Sequence, residues 1–173
     1  MTVIDSPRIG TVILLLATLT TGLQAGTYYI FACGVMPGLE LGDDRTFVAA
    51  MQQFNVSFIN PWFLATFLGA PVLALIAVVT HRRTRRALWA SVTVGFLLAM
   101  ATVVITSVVH FPLNAALDAA GPPDRAPNLH AVREANAATW IRWNTVRAVT
   151  STAALAALSY ALLISGHREE HRK

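Results

Sequence analysis

The chain has 173 residues, of which 55% are hydrophobic and only 13% charged, with a mean hydropathy of +0.55. That is too apolar for a soluble domain of this size, which needs polar surface to face water. Thirteen Lys and Arg against nine Asp and Glu give a formal charge of +4. The basic residues gather in residues 81 to 86 and 167 to 173 instead of forming a binding stripe, so nucleic acid is excluded as an expected partner.

Charge-free stretches cover residues 9 to 39, 61 to 80, 87 to 117 and 148 to 166, each long enough to cross a hydrocarbon core of about 30 Å as a helix. The expected fold is all-α: a single integral membrane domain over residues 1 to 173, built as a four-transmembrane-helix bundle with spans at about 9 to 35, 61 to 80, 88 to 111 and 146 to 166. Both termini and the loop between spans two and three fall on one face, which carries eight Lys and Arg against three acids. The other face carries five against six. The positive-inside rule therefore predicts a multi-pass cell-membrane protein with both termini cytoplasmic. The apolar run continues past the Leu-Gln-Ala-Gly segment at residues 23 to 26, so a retained first span is expected rather than a cleaved signal peptide.

Span one carries Thr18, Gly22 and Gly26 at intervals of four, a small-residue stripe that admits a close neighbour helix, and Gln24 as its one strongly polar side chain. Tyr28 and Tyr29 suit the outer interface. Met36-Pro37-Gly38 is expected to break the helix, since proline and glycine resist its continuation. Asp43 or Asp44 then caps a new helix in which Phe47, Met51, Phe54 and Phe58 recur at helical spacing. This extracytoplasmic amphipathic helix between spans one and two either rests on the membrane surface or folds over the bundle as a lid. Asn60-Pro61 redirects the chain into span two.

Pro112, at the outer end of span three, removes an amide donor and frees the carbonyl four residues back, with His110 and Asn114 framing the opening. The loop at residues 121 to 127 is turn-forming. The last helix is expected to start near residues 128 to 134 and to outrun the membrane. On it Asn136, Trp140, Trp143, Asn144 and Arg147 stand three or four residues apart and share one face. Aromatic belts and snorkelling arginines account for part of such a stripe but not for its two asparagines, which points to an inward binding surface with Arg147 deepest.

These residues carry a resemblance: Met36-Pro37 after span one, Asn60-Pro61-Trp62 opening span two, Pro112-Leu113-Asn114 closing span three, and Trp140, Trp143, Asn144 and Arg147 entering span four. Over roughly residues 10 to 165 the chain resembles the anthrone oxygenase-like family of small bacterial and fungal membrane proteins. The resemblance implies an oxidoreductase that converts anthrones to anthraquinones with molecular oxygen and no cofactor. Many relatives have Asn where this chain has His110, so an indispensable histidine base is not implied for the family.

The chemistry needs a proton acceptor, an oxyanion clamp and a dry aromatic slot. The candidate catalytic residues are His110 as base and Arg147 with Asn144 as clamp; the candidate substrate-binding residues are Asn60, Asn114, Asn136, Trp140, Trp143 and Gln24. The expected partners are the lipid bilayer and a small hydrophobic aromatic substrate, with oligomeric state left open. Two alternatives stand beside the oxygenase. One is a non-catalytic membrane binding or scaffold protein. The other is a metal-dependent redox protein using Cys33, Met36, Met51, His110 and His130 as copper ligands, although none of these is paired at ligand spacing and no metal site is expected.

Overall fold

The computed structural model describes residues 7 to 170, with side chains for residues 8 to 166. Every regular element among the described residues is a helix, and four of the helices are long and apolar enough to cross a membrane. The first comprises α1 (Pro7–Ile30), a widened π turn at Phe31–Val35 and α2 (Met36–Glu40). Then come α3 (Asp44–Ser57) and α4 (Pro61–His81). The third long helix joins α5 (Arg86–Ile105), a second π turn at Thr106–His110 and α6 (Phe111–Ala119). The last is α7 (Leu129–Glu170). Helix α1 packs on α4 and α7, and α5 packs on the same two, which makes a square of alternating directions.

Pro37 does not break the first helix as expected. It distorts it. The residue before each proline, Met36 before Pro37 and Phe111 before Pro112, donates its N–H to the carbonyl five residues back, that of Phe31 and of Thr106. A proline ring crowds the preceding turn, and widening that turn relieves the contact while keeping backbone groups bonded at membrane depth. The extra residue also rotates the helix beyond it by about 100°. His110 closes the second of these turns and is thereby carried into the bundle, 1% exposed.

The end of the bundle near the His81 loop is dry. Leu14, Ala17, Ala74, Ala77, Val92 and Leu158 are all fully buried there. Small residues bring the helices together. A Cβ on Gly95 would stand 2.7 Å from two side-chain carbons of Leu158 on α7, and one on Gly22 would stand 3.4 Å from Leu155. Gly26, the third member of the expected stripe in span one, meets nothing within 4 Å.

The opposite end is covered. Asp43 caps α3 by accepting the Thr46 N–H at 2.7 Å, and Phe47, Val48 and Met51 turn inward to complete burial. Of the two placements expected for this helix, the structure has the lid. Its apolar stripe packs with Phe31, Met36, Leu117 and Trp140. Polar ties hold it: Gln52 donates to the carbonyls of Leu117 and Gly121, and Arg133 of α7 donates to Asp44 at 3.0 Å and to the carbonyls of Gly42 and Glu40. Helix α7, capped by Asn128 through the Ala131 N–H, has 42 residues and a length of about 63 Å, twice the hydrocarbon core.

Candidate functional site

Beneath the lid the helices part around a cavity of about 390 Å³, within the range of small-molecule sites. Five of the candidate catalytic and substrate-binding residues line it: His110, Asn114, Trp140, Asn144 and Arg147. Two halves can be told apart. One wall is a run of phenylalanine rings, with Phe31 5.4 Å from Phe54 and 5.6 Å from Phe58, Phe58 4.9 Å from Phe63, and Phe63 stacked on Phe67 at 5.8 Å. The other end is polar and deep, formed by Tyr28, Thr106, His110, Asn144 and Arg147, all buried.

Arg147 organises the floor. Its Nη1 donates to Thr106 Oγ1 at 3.2 Å and its Nη2 to Asn144 Oδ1 at 2.9 Å. The guanidinium lies 4.5 Å from the ring centre of Tyr28 and 5.5 Å from that of Trp140, so two aromatic faces partly offset the desolvation of the charge. Among the described residues no carboxylate forms an ion pair with it. Its Nε has no hydrogen-bond partner, and neither do the Tyr28 hydroxyl and both ring nitrogens of His110. Buried polar groups in proteins are almost always satisfied. These four unsatisfied atoms belong to three side chains that line one cavity, while Thr21, Gln24 and Asn136 each leave one such atom elsewhere in the bundle.

Asn144 is engaged at both ends of its amide: Oδ1 receives Arg147, and Nδ2 donates to the Tyr28 backbone carbonyl at 3.1 Å. These two bonds orient the floor of the cavity. Trp140 meets His110 edge to face at 5.2 Å and donates its indole N–H to Asn114 Oδ1 at 3.1 Å, which fixes the ring plane above Arg147.

Four other expected binding residues lie off the cavity wall. Asn60 caps α4, accepting the Phe63 N–H at 2.9 Å and donating to the Ser57 carbonyl at 2.7 Å, so the helix start consumes both ends of its amide. Gln24 donates to Thr66 at 2.7 Å, a bond between α1 and α4. Asn136 is buried and donates to the Leu113 carbonyl at 2.8 Å, tying α6 to α7. Trp143 is half-buried; on a helix it stands about 60° from Trp140, on the side away from Asn144, which takes it past the cavity edge.

The residues that sequence reading missed are Tyr28, Thr106 and the phenylalanine wall. Tyr28 was placed at the interface, yet it is 3% exposed while its neighbour Tyr29 is 61% exposed. The phenylalanine spacing in α3 was visible as an amphipathic stripe without showing that its last turns face a cavity. The proposed copper ligands are not assembled: Cys33 is exposed, His130 pairs with Asp44 at the surface, and the described residues contain no group of three His, Cys, Asp or Glu side chains able to hold one ion.

Fold and site together define a multi-pass helical membrane protein with an aromatic cavity set above a buried arginine. The chain belongs to the anthrone oxygenase family, whose model, described as Anthrone oxygenase, matches residues 54–157. The match runs from the end of α3 into α7 and takes in His110, Asn114, Trp140, Asn144 and Arg147 while leaving out Tyr28. No curated protein and no solved structure matches the chain.

Proposed function

We propose that the protein is a cofactor-independent membrane oxygenase that oxidises a planar phenolic, anthrone-like substrate in the cavity under α3. The single observation that carries the reading is Arg147, a buried cation beside aromatic walls with no carboxylate partner among the described residues. A flat substrate lies between Trp140 and the phenylalanines with its carbonyl oxygen toward Arg147. Loss of a benzylic proton to His110 gives an enolate whose negative oxygen the guanidinium stabilises. The enolate passes one electron to dioxygen, and the two radicals combine at the benzylic carbon to give a hydroperoxide. Loss of the second benzylic hydrogen with cleavage of the O–O bond releases water and leaves the quinone carbonyl. One dioxygen supplies the carbonyl oxygen and the water oxygen, and no external reductant is consumed.

The cavity wall is exposed at Ile59 and Leu64 on the α4 side and at Phe111, Ala115 and Asp118 on α6. A mouth between apolar helix faces suits a substrate dissolved in the bilayer. With the Arg-rich loop of residues 82 to 86 on the cytoplasmic side, the cavity sits in the outer leaflet.

The test is turnover. Purified protein with an anthrone, in air and excess chelator, should form anthraquinone faster than autoxidation, with one dioxygen consumed per quinone. Loss of that rate to the chelator and its return with copper would overturn the cofactor-free reading. Tight binding without acceleration would leave a non-catalytic binding protein.

A further inference from the structure

The geometry points to Tyr28 as the second donor of the oxyanion seat: its hydroxyl, with Arg147 Nε, receives an ionisable phenol or enol oxygen, and the pair selects for ligands that carry one. The inference rests on the reading of the cavity as an aromatic-ligand site and adds a residue and a selectivity to it. Position 28 lies outside the stretch matched by the family model.

Tyr28 is 3% exposed, lines the cavity and holds its ring 4.5 Å below the Arg147 guanidinium. Its hydroxyl has no hydrogen-bond partner; Thr106 stands near it without closing a bond. The bond that ties this residue to α7 uses its backbone carbonyl, which accepts from Asn144. Phenylalanine at position 28 would therefore keep the ring, the cation contact and every hydrogen bond of the site. The hydroxyl adds nothing to the ligand-free protein and is unfavourable where it lies.

The neighbouring arginine decides which group the hydroxyl can receive. Arg147 Nε is a donor only, and it too has no partner. The one carboxylate on the cavity wall, Asp118, is at the exposed rim and accepts from Asn55 at 3.1 Å. Two unpaired donors thus belong to a stacked pair of buried side chains, one of them cationic. The complement is an oxygen that accepts twice and carries negative charge, as a phenolate or enolate does. A ketone oxygen accepts the same bonds more weakly, so the seat favours ionisation of a bound phenol.

Alizarin, a dihydroxyanthraquinone whose visible band moves to longer wavelength when its phenol ionises, is the probe, with anthraquinone, which has no hydroxyl, as control. Wild-type protein in detergent and chelator at neutral pH should bind alizarin with a band shifted toward the ionised form. Tyr28→Phe should weaken alizarin binding about tenfold or more and reduce the shift, weaken anthraquinone binding clearly less, and melt at the same temperature as wild type or higher. Equal alizarin affinity and equal shift in Tyr28→Phe would overturn the inference while leaving the cavity reading in place. A lower melting temperature would show the hydroxyl bonded within the protein, and a matching loss for anthraquinone would show altered cavity shape; either overturns it. If the wild type binds neither dye, the cavity reading falls with the inference.

Discussion

Replacing Arg147 with methionine separates function from folding at one position. The side chain is 6% exposed, so removing the charge relieves a desolvation penalty of several kcal/mol. Against this stand two charge-assisted hydrogen bonds, to Thr106 and Asn144, worth about 1.5–3 kcal/mol each. Thr106 keeps its bond to the Thr102 carbonyl, which leaves Asn144 Oδ1 as the acceptor that loses its donor. Methionine retains length and bulk and fills the space. The opposing contributions are similar in size, and the net change in stability is expected within about 2 kcal/mol, a few degrees in Tm for a chain of this length. Transition-state stabilisation has no such compensation: loss of one oxyanion donor lowers turnover about a hundredfold or more. Thermal unfolding followed by fluorescence of the four tryptophans, beside anthrone turnover on the same sample, measures both. A collapse of Tm with proportionate turnover in the folded fraction would refute the reasoning and make Arg147 a structural residue.

Gly95→Ala tests the dry end. The new Cβ would stand 2.7 Å from Leu158, and overpacking of about 1–3 kcal/mol outweighs the roughly 1 kcal/mol helix preference of alanine, so Tm should fall while alizarin affinity holds; an unchanged or raised Tm would contradict the packing. The Thr46 N–H holds the Asp43 carboxyl below the usual carboxylate range. Its contribution is therefore whole at neutral pH and is lost as pH falls from the ordinary value of about 3.9 through the depressed one. Amide exchange over residues 44 to 48 should quicken selectively in that acid window, and Asp43→Ala should remove the pH dependence. Cysteine at Thr84, in a background with Cys33 replaced, should resist an impermeant thiol reagent in intact cells; labelling there would reverse the orientation of the bundle.

Much of the fold was legible because membrane helices are read from length and charge alone, and the four long helices lie where the charge-free runs are. The site was less so. The α7 stripe placed Trp140, Asn144 and Arg147 on one face, and that face does meet the cavity, but a face of five residues is wider than the opening, which is why Asn136 and Trp143 fall beside it. Asn60 and Gln24 were recognisable as polar residues in apolar surroundings; whether such a group satisfies a helix end, a neighbouring helix or a ligand depends on tertiary contacts. Tyr28 was missed for a related reason. Tyrosine near a span end has the composition of an interface anchor, and only the packing of α1 against α7 turns it inward. Pro37 was legible as a breaker and Pro112 as a missing amide donor, yet a proline that widens a turn instead of ending it depends on the pressure of surrounding helices to stay helical.

The most direct measurement is a density map of the protein with an anthraquinone product bound in a bilayer mimic. The account predicts a flat ligand in the cavity under α3, between Trp140 and the phenylalanine wall, with an oxygen within hydrogen-bond distance of Arg147 Nε and the Tyr28 hydroxyl. Density confined to the lipid-facing surface, or a ligand in the cavity with its oxygens turned away from Arg147, would contradict it.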